Sequence, residues 1–196
     1  MATRVDPQVE REHLFKAAYA VMRRSGYSGV TITDILSEAG ISTRAFYRHF
    51  ASKDDLLIAM FRENAALTRQ RLADRVAAVD PIEGLGVWID EILDMGYDER
   101  KSRVARMFAS NSVRAMLADA GDEAIANLYQ PLRLVLEEGA RSGAFPTCDP
   151  AVDAESIHAI VWRLFLEAMH GRAVLDREGA RAHALRFALP ALGVGG

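Results

Sequence analysis

From Ser42 to Lys53 the chain reads Ser-Thr-Arg-Ala-Phe-Tyr-Arg-His-Phe-Ala-Ser-Lys, which packs hydroxyls, guanidiniums, an imidazole and an ammonium into twelve positions. Phe46 and Phe50 are four apart, so on a helix they share one face that can dock on a core. Thr43, Arg44, Tyr47 and Arg48 fall away from that face. A small helix held from behind, with hydroxyls and guanidiniums in front, has the chemistry to read a DNA major groove. Ser42 is placed to cap it, and its first N–H groups and dipole favour a phosphate or a base edge. Arg44 in the first turn can grip guanine O6 and N7 in a bidentate fork, worth ~1–3 kcal/mol of discrimination. Ala45 is short enough to let the helix approach and to meet a thymine methyl, while Tyr47 and His49 are expected at phosphate. Lys53 follows a second serine, Ser52, at the start of the next helix. Other readings stand beside these: capping accounts for Ser42, packing beside Phe50 for His49, and an ion pair for Arg48. Arg44 has no such local alternative.

The elements that must position these residues are well punctuated. A first helix is predicted from about Pro7 to Ser25, with Leu14, Ala17, Ala18, Val21 and Met22 at helical spacing and Gly26 as its stop. Thr31 is an N-cap with Asp34 three residues on, and Val30 and Ile35 occupy the positions of a hydrophobic staple. Ala39-Gly40 closes that helix, and Ile41-Ser42 opens the next. Two short helices joined by a Gly-containing turn make a helix-turn-helix. Ser52 with Asp55 starts a fourth helix that continues to about Val79, where Asp80-Pro81 breaks it.

Length and composition agree with a globular, helical chain. Of 196 residues, 50% are apolar and 26% charged, and no run approaches the ~18 apolar residues of a membrane span. Residues 1–75 carry 12 Lys and Arg against 9 Asp and Glu, whereas residues 76–196 carry 12 against 18. A basic head on an acidic body suggests that only the head meets a polyanion. Cys148 is the one cysteine, which excludes an intrachain disulfide and fits a reducing, cytoplasmic compartment.

Several segments together resemble the N-terminal domain of the TetR family of bacterial transcriptional regulators. They are Leu14–Ala18, Gly26-Tyr27, Val30–Ile35, Ala39–Ser42 and Phe46–Leu56. The resemblance covers roughly residues 9–60. Leu36 departs from it, since the family more often has a small residue after the isoleucine. The resemblance implies an all-α chain of about nine helices. A DNA-binding domain would occupy 1–55, and an effector-binding and dimerisation domain 56–196, with the helix from about 52 to 79 joining them. It also implies that Thr43, Arg44 and Tyr47 lead the DNA contacts. Thr31, His49 and Lys53 would anchor the backbone, with Thr33, Ser42, Ala45 and Arg48 completing the set.

The body reads as further helices at about 81–95, 101–118, 122–142, 150–171 and 177–192, the third of these interrupted at Pro131. By the family's use of its last two helices, the homodimer interface is expected there, with Trp162, Phe165, Leu185 and Leu189 as candidates. A bundle face and a core face share one periodicity, so spacing alone leaves both readings open. Trp88, Met95, Met107, Phe108, Tyr129, Trp162 and Met169 are large and adaptable enough to line an effector pocket. Such a lining suits a hydrophobic or amphipathic small molecule.

The function expected is therefore a ligand-responsive regulator, by the family's habit a repressor, that binds a pseudo-palindromic duplex operator as a dimer. The alternative is a helical ligand carrier or interaction protein whose head has lost DNA binding. An enzyme is not expected. The sequence has no G-x-G-x-x-G after a strand, no P-loop and no G-x-S-x-G elbow. The five histidines lack zinc-ligand spacing, and Glu155-x-x-His158 matches a carboxylate-metal motif once where two are needed. No metal, cofactor or membrane partner is expected.

Overall fold

The computed structural model describes residues 6–26, 29–102 and 118–195, the side chains of 118–127 excepted. The protein is all-α. Its helices are α1 (Pro7–Ser25), α2 (Ile32–Ala39), α3 (Thr43–His49), α4 (Lys53–Ala77), α5 (Pro81–Tyr97), α6 (Ala118–Ser142), α7 (Pro150–Met169) and α8 (Arg177–Ala191). Residues 99–102 are helical as well, and no strand occurs among the described residues. The rest of the predicted 101–118 helix, with Met107 and Phe108, lies outside them. Two compact units divide within α4: residues 6–63 with 118–120 make one, and 64–102 with 121–195 the other.

In the first unit the sequence's punctuation becomes hydrogen bonds. Asp6 caps α1 by accepting from the Gln8 N–H, and Gly26 ends that helix at φ +64°. At α2 the capping box is complete: the Asp34 N–H donates to Thr31 Oγ1 at 3.1 Å, and the Thr31 N–H donates to Asp34 Oδ2 at 3.2 Å. Ser42 accepts from the Ala45 N–H, and Ser52 from the Asp55 N–H. Behind these caps Leu14, Ala18, Val30, Ile35, Phe46, Leu56 and Leu57 form a closed core. Phe15 stacks on Phe50 with ring centroids 5.8 Å apart, so α1 and the end of α3 share aromatic packing.

The second unit is built on α5, which packs on α7 and α8. Leu85, Trp88, Ile89, Ile92 and Leu93 are completely buried. Gly96 allows the α5–α7 approach, because a Cβ there would sit 3.0 Å from the Phe165 carbonyl oxygen. Arg177 pairs with Asp90 and Asp94, and Arg181 with Asp90, which ties α8 to α5 at its polar edge.

Of the kink or break expected at Pro131, the break does not occur, since α6 runs through it as one helix. Leu128, Leu132, Val135 and Leu136 are all buried along α6. Their packing outweighs one missing N–H, and the neighbouring Leu128 carbonyl accepts the Trp88 indole N–H at 2.8 Å.

Candidate nucleic-acid interface

On α3 the buried and exposed residues separate cleanly. Ala45, Phe46 and Phe50 are buried, His49 is nearly so, and Thr43, Arg44, Tyr47 and Arg48 are exposed. The ring of Phe46 meets Tyr47 edge-on at 5.3 Å, which steadies a tyrosine that is otherwise more than half exposed. Arg44 makes no hydrogen bond or ion pair among the described residues. Together with Thr33 and Thr43, both exposed, it leaves a hydroxyl and guanidinium surface in front of a pinned helix.

Ala45 corrects the sequence reading. It is 6% exposed, because it follows the Phe46–Phe50 side of the helix turn, and so offers no surface to a thymine methyl. Thr31 is exposed, yet its hydroxyl both accepts from Asp34 N–H and donates to Asp34 Oδ2 at 2.6 Å. It therefore acts as the cap of α2. Ser42 accepts one backbone bond, which leaves its hydroxyl proton able to donate elsewhere. Lys53 Nζ donates to the Val30 carbonyl at 3.1 Å, bracing the start of α4 against the start of α2.

Arg48 and His49 have a partner that the sequence did not announce. Arg48 Nη2 donates to both Glu10 oxygens, at 3.0 and 2.9 Å, and His49 Nε2 meets Glu10 Oε2 at 2.9 Å. A carboxylate only accepts, so His49 carries its proton on Nε2. The His49 bond and then the Arg48 bond hold the Glu10 carboxyl below the ordinary carboxylate range. Glu10 lies 38 residues from Arg48, and no local spacing could have signalled it.

In the second unit the predicted pocket residues separate in the same way. Trp88 is fully buried and its indole N–H is engaged by Leu128. Tyr129 donates to the Ala151 carbonyl at 3.4 Å. His158 lies among Trp88, Tyr129 and Trp162, with ring centroids at 6.2, 5.7 and 5.4 Å, and stacks on Trp162. Burial pushes its imidazole below the ordinary histidine range, and its buried Nε2 has no hydrogen-bond partner among the described residues. Sequence reasoning weighed His158 only as a metal ligand. Among the described residues no group of three His, Cys, Asp or Glu could hold a metal ion. Met95 and Met169 are partly and almost fully buried, in that order.

The dimer candidates need one correction. Phe165 is 6% exposed and packs on Gly96 within its own chain, so it belongs to the α5–α7 core. Trp162, Leu185 and Leu189 are half-buried, and Phe187 on α8 is 52% exposed. Cys148 is held as a thiol, since burial and then Asp153 push it up to about 11.

An all-α chain with a capped helix-turn-helix head and a separate helical unit is the architecture of a one-component DNA-binding regulator. The family model "Bacterial regulatory proteins, tetR family" matches residues 14–60. The transcriptional regulator BetI of Rhizobium meliloti is 31% identical over 154 residues, which cover 76% of this chain and 70% of BetI. The transcriptional repressor NemR of Escherichia coli K12 is 23% identical over 88% of this chain and 90% of its own length. A crystal structure from Mesorhizobium loti, described as a TetR-family regulator, superposes with a TM-score of 0.77 at 21% identity, covering 97% of this chain and 98% of that one. The chain belongs to the TetR family, and it is a helix-turn-helix DNA-binding transcriptional regulator. No helix among the described residues is long and apolar enough to cross a membrane.

Proposed function

We propose that this regulator represses transcription by binding a pseudo-palindromic operator as a homodimer, with α3 of each head in a major groove. The reading is carried by Arg44, exposed and unpaired among the described residues, on a helix fixed from behind by Phe46 and Phe50. Arg44 and Thr43 read base edges, and Tyr47, Thr33 and Ser42 reach phosphate, with Lys53 adding charge beside them. One such module buries only ~600–1,000 Å² on DNA. A two-fold dimer that matches two half-sites supplies the remaining affinity.

The dimer face proposed lies on α7 and α8, through Trp162, Leu185 and Leu189 with the exposed Phe187. The effector proposed is a hydrophobic or amphipathic small molecule held near Tyr129, His158 and Trp162, with Met95 and Met169 as adaptable walls. The rings supply apolar contact, and the His158 nitrogen, unpartnered among the described residues, supplies a hydrogen bond. Helix α4 carries residues of both units, and coupling is proposed to run along it. The effector can shift operator affinity only by binding the two shapes of the protein unequally.

A gel-shift series with duplexes from the region flanking the protein's own gene tests the reading. A retarded complex with one fragment, lost on Arg44→Ala, is expected. No retarded complex with any flanking fragment would favour a helical ligand carrier instead.

A further inference from the structure

Arg48 stands one helical turn beyond Arg44 on the same line of α3, the position from which a second guanidinium could meet DNA. Its side chain is 56% exposed, yet Nη2 is turned back onto both oxygens of Glu10. Glu10 itself is anchored: its side chain is only 14% exposed, and His49, 12% exposed, holds Oε2 from the inner side. The pair is neutral as a unit. A phosphate approaching Arg48 would meet the Glu10 carboxylate next to the guanidinium, and like charges so placed repel.

Resting on the DNA-binding reading above, we infer that Glu10 is a specificity-determining positioning residue, which withholds Arg48 from the DNA backbone. Phosphate contacts raise affinity for every sequence alike, because each neutralised phosphate releases condensed counterions. Silencing Arg48 keeps that indiscriminate part small and leaves discrimination to Arg44. The same contacts orient the helix, since Glu10 on α1 grips two successive residues at the end of α3.

Salt dependence of binding to a random-sequence duplex, followed by fluorescence anisotropy, tests this without knowledge of the operator. Glu10→Gln removes the charge with little change of shape. Its plot of log K against log salt is expected to steepen by about 0.9 for each head on the duplex, one phosphate's worth of counterion release. The double variant Glu10→Gln/Arg48→Gln is expected to return to the wild-type slope. An unchanged or shallower slope for folded Glu10→Gln would overturn the inference. So would a double variant that stays steep, since the gain would then come from the lost carboxylate alone. Should Glu10→Gln fail to fold, Arg48→Gln decides the matter. An arginine already engaged by Glu10 leaves the slope at the wild-type value, and a drop of about 0.9 would place it on phosphate. A wild-type chain that leaves the duplex unbound even at low salt overturns the DNA-binding reading itself, and this inference with it.

Discussion

The Trp88 indole N–H and the Leu128 carbonyl meet at 2.8 Å across 40 residues of sequence, so a fully buried ring on α5 holds the turn of α6 that precedes Pro131. Trp88→Phe keeps a ring in the core and deletes that buried hydrogen bond, while the Leu128 carbonyl keeps its place in the helical ladder. The expected loss is about 0.5–1.5 kcal/mol. A urea titration should show it as a lower midpoint with the slope of the transition unchanged.

His158 carries the opposite sign. Its buried nitrogen lacks a partner among the described residues, so His158→Phe removes a desolvation cost and is expected to raise the thermal midpoint. A gain of ~1 kcal/mol corresponds to about 2–4 °C at this chain length. If the nitrogen anchors the effector, the same variant loses its response to effector while gaining stability, the trade-off common at binding sites.

The same residue sets a pH dependence. Burial lowers the folded-state pKa of His158 below its ordinary value of 6.5. The unfolded chain therefore binds the proton more readily, and stability is greatest above 6.5 and declines as the pH falls through the folded-state value. Thermal melts across that range should slope more steeply for wild type than for His158→Phe. Parallel profiles would show that another group is responsible.

Gly139 faces the ring of Phe145, and a Cβ built on it would collide with that ring. Phe145 is 1% exposed and has nowhere to retreat. Gly139→Ala is expected to cost about 1–3 kcal/mol through overpacking, read as a lower denaturant midpoint.

What the sequence disclosed was local. The Thr31–Asp34 box, the Ser42 cap and the Phe46–Phe50 face depend on separations of three or four residues, and each formed as the spacing predicted. Helical period also contained the placement of Ala45, whose position follows from its neighbours Phe46 and His49. Reading it as small rather than as inward-facing produced the error. Long-range contacts were beyond reach. Glu10 meets Arg48 across 38 residues, and nothing in the type or spacing of either residue names the other. Phe165 shows a different limit, because a stripe that docks on α5 and one that docks on a partner have the same periodicity. At Pro131 local propensity predicts a kink or a break, and the buried leucines on either side keep the helix continuous.

Arg44 carries the sequence discrimination proposed for the head. Affinities of wild type and Arg44→Ala should be measured for the flanking fragment that binds best and for a random duplex, at one fixed salt concentration. The specific-to-random ratio is expected to fall by about fivefold to a hundredfold for each half-site, the equivalent of ~1–3 kcal/mol per lost bidentate base contact, while random-duplex affinity changes little. Equal losses on both duplexes would contradict this expectation, because Arg44 would then be gripping phosphate rather than reading sequence.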